Sequence, residues 1–181
     1  MVYKSFTSHY TKKVMRQAID DIAGSLSSKE KDMFFAAFLF AENAHAHQMR
    51  KSGKPFITHP VAVAHDLWCT HQDLELTTAA LLHDTVEDNE NISIEDIYKQ
   101  FGDNVGFLVD ATNKRVQNFY AHEVVIADKV ERLLWAGMQD IRALLLKLAD
   151  RRHNLLTLQN LHKDKQVRMA FETQAIFAPL R

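Results

Sequence analysis

Turn residues are scarce in this chain, with 5 Gly and 3 Pro in 181 residues. Each hairpin of a β-sandwich or barrel needs its own turn, and turns draw heavily on Gly and Pro, so a largely helical protein is expected. The apolar pattern points the same way. Phe34, Phe38, Ala41 and His45 are spaced by four, three and four, and Ile126, Val130, Leu133 and Gly137 repeat that spacing. Each set is a stripe that one face of a helix would bury. At 46% hydrophobic and 25% charged, the chain can bury one substantial core, and no repeat, low-complexity stretch or linker divides it.

Helix boundaries can be read locally. Ser27 with Glu30 three residues later is a capping box, starting a helix that should run to about His47. The loop Arg50-Lys51-Ser52-Gly53-Lys54-Pro55 then gathers three cations around a glycine. Pro60 suits the first position of a helix, which places His59 at a helix start. Leu74 to Leu82 reads as a buried helix that ends in His83-Asp84-Thr85-Val86-Glu87-Asp88. Ser93 to Phe101 reads as a short helix stopped at Gly102, and Ile141 to Leu158 as a long one.

A formal net charge of −1 gives no global attraction to nucleic acid or acidic membranes. Neither is expected as a partner, and an anionic ligand would need a local basic cluster. The N-terminal segment has no apolar stretch long enough for a signal peptide or anchor, so a cytoplasmic protein is expected. Cys69 is the only cysteine, which rules out an intramolecular disulfide. Lying at the end of the apolar run from Val61, it is expected in the core rather than as a nucleophile.

The chemistry concentrates after the buried helix. His83 and Asp84 are adjacent, and a helical turn brings Glu87 beside them, with Asp88 next in line. Neutral imidazole and carboxylate together suit a borderline divalent ion such as Mn²⁺, Fe²⁺ or Zn²⁺. By itself, the pair equally fits a buried histidine held by the neighbouring carboxylate. Further along, Lys147, Asp150, Asn154 and Thr157 recur at three, four and three in a helix otherwise filled with leucine. Buried, such a stripe needs polar partners, which a metal and its ligand would supply; a solvated helix face is the other reading.

Five blocks, RKSGKPFITHP (50–60), LLHDTVEDN (81–89), FGDNVGFLVDATNK (101–114), LLKLADRRHNLLTL (145–158) and KDKQVRMAFETQAIFAPL (163–180), resemble the hydrolase domain of the RelA/SpoT family in order and spacing. That family comprises HD-superfamily enzymes that degrade the alarmones ppGpp and pppGpp. The resemblance runs from about Asp32 to Leu180. It implies an all-α, single-domain helical bundle of the HD type with a central metal site. Residues 32–181 would form the hydrolase domain, and 1–31 a helical extension packed on it.

Matched motif by motif, the resemblance implies His59, His83, Asp84 and Asp150 as metal ligands, with Mn²⁺ as the family's usual metal. Glu87 and Asp88 match the catalytic acidic pair. Arg50 would stack on the purine with Lys51 and Ser52 near it, and Asn154 and Thr157 would contact base and ribose. Lys54 and Lys147 stay outside the expected site. The implied ligand is a small-molecule nucleotide alarmone. The implied reaction is metal-dependent hydrolysis of the 3′-pyrophosphate of (p)ppGpp to GDP or GTP and pyrophosphate, ending the stringent-response signal.

Three places depart from the commonest family pattern. AHAHQ stands where a Gly often precedes Gln48, ATNKR follows Asp110, and Arg152 replaces an apolar residue. They leave open a (p)ppApp hydrolase or another HD-type nucleotide phosphohydrolase. A non-catalytic nucleotide sensor is disfavoured because erosion would strike the ligands first, and they are whole. The chain ends at Arg181 without synthetase motifs, as expected of either a small stand-alone alarmone hydrolase or the N-terminal part of a longer protein. The dissimilar first thirty residues lean towards the former.

Overall fold

Nine α-helices run through the described residues, 9–113 and 122–178, of the computed structural model. They are α1 (His9–Gly24), α2 (Ser28–Ala44), α3 (Thr58–His71), α4 (Leu74–Leu82), α5 (Ile94–Phe101), α6 (Asp103–Thr112), α7 (His122–Gln139), α8 (Ile141–Leu156) and α9 (Lys163–Glu172). A 3-10 turn, Leu158–Asn160, links α8 to α9, and α9 passes into a π-helical turn, Thr173–Phe177. Strands are absent among the described residues apart from an isolated bridge between Met49 and Pro55. The all-α expectation holds.

Helix α4 forms the centre. Leu76 to Leu82 are all buried, and α2, α3, α6 and α8 pack around them. Asp73 starts the helix by accepting the Leu76 N–H at 2.9 Å, so a polar cap supports an otherwise apolar segment. Met15, Ile22 and Ala23 of α1 join the same core as Phe34, Leu81 and Leu146. Further out, Leu133 of α7 meets Ile176 and Phe177 of the π-helical turn in a smaller cluster. Ile126 and Val130, from the second predicted stripe, have side chains outside the described set, as do Lys114 and Arg115 of ATNKR.

Local signals set most boundaries. Glu30 accepts both the backbone N–H and the hydroxyl of Ser27, at 2.8 and 2.6 Å. Helix α2 stops at Ala44 rather than near His47, because His45 leaves the helical conformation at φ −104°, ψ 15°. Ser93 caps α5 through the Asp96 N–H at 3.2 Å, and Gly102 ends it at φ 88°, a region glycine adopts at little cost. Pro60 is the third residue of α3 rather than the first, still within the turn whose N–H groups lack helical partners.

The expectation of a buried Cys69 fails: the residue is exposed. The buried face of α3 carries Val61, Ala64, Leu67 and Trp68, whereas Cys69 lies one turn beyond half-exposed His65, with Sγ 3.6 Å from its Nε2. The run is apolar in composition, yet the helix turns its last member outward.

Two helices are pinned at their starts by one side chain. Arg142, early in α8, contacts Asp140 at 2.8 Å and reaches Asp73 and Glu75 at the head of α4, at 3.2 and 2.8 Å. His83 follows Leu74 by nine positions, as Asp150 follows Ile141. At 1.5 Å per residue, both helices deliver these residues about 13 Å from the pinned end. The charge cluster therefore sets the register in which the two meet.

Candidate functional site

Three elements meet where α4 ends. His59 comes from the first turn of α3, His83 and Asp84 from the end of α4, and Asp150 from the middle of α8. His59 Nε2 lies 3.4 Å from Asp84 Oδ2 and 3.2 Å from Asp150 Oδ1. His83 Nε2 lies 3.3 Å from Asp84 Oδ2 and 3.8 Å from Asp150 Oδ1. One ligand atom each from His59, His83 and Asp150 falls within 4.8 Å of the others. Nitrogen and oxygen ligands held at about 2.1 Å by an octahedral ion are separated by about 3 Å along each edge, so the donors lie close to coordination spacing.

The donor set fits a divalent ion on a second count. His83 Nδ1 donates to the Ala80 carbonyl at 2.8 Å, which leaves Nε2 as the unprotonated nitrogen of the neutral ring. That atom is buried without a hydrogen-bond partner and faces two carboxylates. A buried polar atom left unsatisfied is costly, and a metal would satisfy it. His59 has a comparable brace: its Nδ1 lies 2.7 Å from Nδ1 of His153. Burial, with the charges of His59 and Arg50 adding to it, lowers the His153 pKa to about 4. Neutral His153 can therefore accept the His59 Nδ1–H, turning the His59 Nε2 lone pair towards the cluster.

The carboxylates are oriented as well. Asn154 Nδ2 donates to Asp150 Oδ1 at 2.5 Å, and Lys147 Nζ lies 3.6 Å from Asp150 Oδ2. Burial by itself would raise the Asp150 pKa, but His59, His83 and the charge of Lys147 hold it well below the usual carboxylate value. Burial likewise would lower His83, yet Asp84 and Asp150 raise it to about 9. The cluster attracts positive charge.

These opposing shifts give the metal-free protein a stability maximum in pH. The contribution of His83 is fully present below its ordinary pKa of 6.5 and is lost as pH rises through about 9. That amounts to a loss on the order of 3 kcal/mol. His153, depressed to about 4, acts on the other side. Between 6.5 and 4 the unfolded chain binds its proton first, so stability falls with acidification, and burial of His59 works in the same direction. Thermal denaturation in chelator should peak near pH 6.5, whereas a midpoint flat from pH 6.5 to 9 would contradict the His83 shift.

A cavity of about 780 Å³ opens from the cluster. His59, Asp84 and Asp150 line it together with Arg50, Lys51, Ser52, Glu87, Asp88, Asn154 and Thr157, so every expected site residue except buried His83 borders one space. The basic loop is folded back on itself. The Arg50 N–H reaches the Lys54 carbonyl at 2.8 Å, and Gly53 turns the chain at φ 76°. Arg50 Nη2 donates to Thr157 Oγ1 at 3.2 Å, which places the guanidinium across the cavity wall from α8. Lys54 is absent from the lining.

The sequence reading gave no role in the site to three participants. His153 is one. Gln48 is another: its Nε2 donates to the Asp88 carbonyl at 2.9 Å, and its Oε1 lies 2.7 Å from His45 Nδ1. His45 is buried, as its place in the stripe implies, but only Nδ1 is satisfied. The third is α9, whose Lys165 and Arg168 border the cavity. Position 153 adjoins the Asp150-Asn154 stripe, so that signal was present in the sequence.

An HD domain family model matches residues 37–181. The chain is 46% identical over 145 residues to a Synechocystis protein named probable guanosine-3′,5′-bis(diphosphate) 3′-pyrophosphohydrolase, covering 80% of this chain and 19% of that protein. It is 43% identical over 145 residues to the bifunctional (p)ppGpp synthase/hydrolase SpoT of Escherichia coli, covering 80% and 20%. The chain thus spans about a fifth of the length of these curated relatives. Among solved structures, a metazoan ortholog of SpoT, described as hydrolysing ppGpp and playing a role in starvation responses, superimposes with a TM-score of 0.69. It is 26% identical, over 86% of this chain and 87% of that one. The helical architecture, the His-Asp cluster at the end of α4 and the match over most of the sequence make this chain a member of the HD domain family.

Proposed function

We propose that this protein is a phosphohydrolase that removes the 3′-pyrophosphate of ppGpp or pppGpp, and that Mn²⁺ is its metal. The observation that carries the reading is the buried Nε2 of His83, which makes no hydrogen bond and faces the carboxylates of Asp84 and Asp150 at the edge of a nucleotide-sized cavity. His59, His83, Asp84 and Asp150 would hold the ion, which would supply Lewis acidity to the phosphoryl oxygen and lower the pKa of a water. Relatives named for this reaction support the choice of substrate.

The chain's own groups divide the remaining work. Glu87, on the turn that follows His83 and Asp84, orients the attacking water and takes its proton, with Asp88 beside it. The water oxygen bonds to the phosphorus at O3′, the O3′–P bond breaks, and the proton held by Glu87 passes to O3′ as pyrophosphate leaves. Arg50, fixed by Thr157, offers a planar face to the purine, with Lys51 and Ser52 alongside. Asn154 and Thr157 offer polar atoms to base and ribose. The same reading takes 32–181 as the catalytic unit, 1–31 as an extension of it, of which residues 1–8 lie outside the described residues, and the cytoplasm as its location. No helix among the described residues is long and apolar enough to cross a membrane.

The test is pyrophosphate release from ppGpp and from ppApp with Mn²⁺, with Asp84→Ala as control. Metal-dependent release that the variant lacks supports the reaction, and the faster nucleotide gives the base preference. No release from either nucleotide would reject the reading.

Gln48 offers a finer check. Its two hydrogen bonds join the turn after α2 to the backbone of Asp88. Gln48→Ala should lower kcat by about tenfold while bound metal stays constant, since small misplacement of a base is costly. Unchanged kcat, or lost metal, would contradict a role in placing the acidic turn.

A further inference from the structure

His45 is buried at 2% exposure, and one side of its ring has no partner. Gln48 Nε2 donates to the Asp88 carbonyl at 2.9 Å, so the amide atom that faces His45 Nδ1 at 2.7 Å is the oxygen, which can only accept. Nδ1 therefore carries the proton, and Nε2 holds a lone pair to which no described residue donates. Burial lowers the pKa of the ring and keeps it neutral. A buried acceptor without a donor costs stability, and phenylalanine would fill the same place without that cost. What sets the histidine apart from an apolar residue here is what its other atoms hold.

Two arms leave the ring. Through Nδ1–H and the Gln48 amide, one reaches the backbone of Asp88, on the turn that carries Glu87. The second leaves from the ring face. Phe56 packs on it with centroids 4.6 Å apart and planes tilted by 30°, and the Phe56 ring in turn stands edge-on to His59 at 6.0 Å and 85°. Phe56 also borders the cavity. The arms share a base, because the Phe56 N–H donates to the Gln48 carbonyl at 3.0 Å and closes the loop that carries Arg50, Lys51 and Ser52. One side chain thus stands behind both the His59 imidazole and the acidic turn.

We infer that His45 is a positioning residue of the site, which fixes the His59 imidazole relative to the Glu87–Asp88 turn, the first through the packed Phe56 ring and the second through Gln48. The inference rests on the hydrolytic reading of the site and adds to it the residue that holds metal cradle and proton acceptor in one frame. Such placement matters because a shift of about 1 Å at a reacting group can cost about a hundredfold in rate. Contacts behind a ligating imidazole likewise set its orientation towards an ion.

Two substitutions take the arms apart. His45→Phe keeps a ring against Phe56 and removes the Nδ1–H, whereas His45→Asn keeps an amide N–H where Nδ1 stood and removes the ring face. His45→Phe should lower kcat for ppGpp by about tenfold, with KM, Mn²⁺ affinity and Tm held. Combined with Gln48→Ala it should lose little more than either change alone, because both break the same arm. His45→Asn should recover most of that kcat and weaken Mn²⁺ binding by about two- to tenfold, the worth of an aromatic contact.

A third readout needs no catalysis. In the metal-free protein one proton of the Gln48 side-chain amide is held by the Asp88 carbonyl. Its NMR signal should exchange slowly in wild type and in His45→Asn, and freely in His45→Phe. Either wild-type kcat or an unchanged Gln48 signal in His45→Phe overturns the inference. So does a parallel loss of kcat, Mn²⁺ affinity and Tm in both variants, which is the mark of a plain packing role. If wild type hydrolyses no nucleotide while the Gln48 signal and Mn²⁺ affinity divide between the variants as stated, the reaction assigned above fails and the role of His45 stands.

Discussion

Glu87→Gln is expected to cut turnover of ppGpp by about 10²–10⁴-fold while the protein folds and binds metal as wild type does. Glutamine keeps the size of the side chain and its hydrogen-bonding reach but cannot accept a proton from water at neutral pH. The position is half-buried at the cavity wall, on the turn that carries His83 and Asp84, so an isosteric change there disturbs no core packing. Asp88, the exposed neighbour, sets how much activity survives. Three readouts belong together: turnover, the rise in melting temperature on adding Mn²⁺, and the acidic limb of the pH–rate profile, which should flatten when the base is removed. Wild-type turnover in a variant that keeps its metal-induced stabilisation would remove Glu87 from the mechanism.

Much of the fold was legible because its determinants are local. The limits of α5 follow from Ser93 and Gly102, and those of α4 from the apolar run Leu74 to Leu82; both helices lie where these place them. The end of α2 was misjudged by about three residues. The apolar stripe continues into His45, and a stripe reports which face is buried without reporting where the backbone leaves the helix. Cys69 was misplaced for a related reason: composition marks a run as apolar, but only the phase of the helix decides which members face the core.

Site residues divide along the same line. His59, His83, Asp84 and Asp150 come from segments far apart in sequence, and motif order grouped them before geometry did. Contacts that orient them were hidden. The His59–His153 bond spans 94 positions, and the Gln48–Asp88 bond spans 40. Pairs of this kind depend on how α3 sits against α8 and how the turn after α2 meets the end of α4, which no local pattern encodes. The cavity-facing cations of α9 were hidden differently. Within KDKQVRMAF, Lys163, Lys165 and Arg168 look alike, and packing alone separates the cavity-lining pair from the solvated one.

Asp150→Asn should abolish both metal binding and pyrophosphate release while leaving the metal-free fold intact. Asp150 is nine-tenths buried, and its ionised state depends on His59, His83 and Lys147. Asparagine retains an oxygen that can accept from Asn154 Nδ2, so that contact survives. Removing a negative charge that His83 and Lys147 balance in the metal-free site costs part of the roughly 3 kcal/mol carried by the His83 shift, so the metal-free variant is less stable but still folded. With a dication the loss is larger, because the ion loses one of its two carboxylates and affinity should fall at least about a hundredfold. At a metal concentration about a hundred times the wild-type Kd, binding stabilises the fold by about 2.7 kcal/mol. For a domain of this size that is a rise of roughly 5–10 °C in Tm, which the variant should lack. His83 adds an internal check: without the charge of Asp150 its pKa falls from about 9, so the alkaline side of the metal-free stability profile should flatten. A variant that keeps its Mn²⁺-dependent rise in Tm excludes Asp150 as a ligand whatever its activity. Glu87→Gln keeps that rise and loses chemistry, whereas Asp150→Asn loses both, and the contrast separates the proton acceptor from the metal cradle.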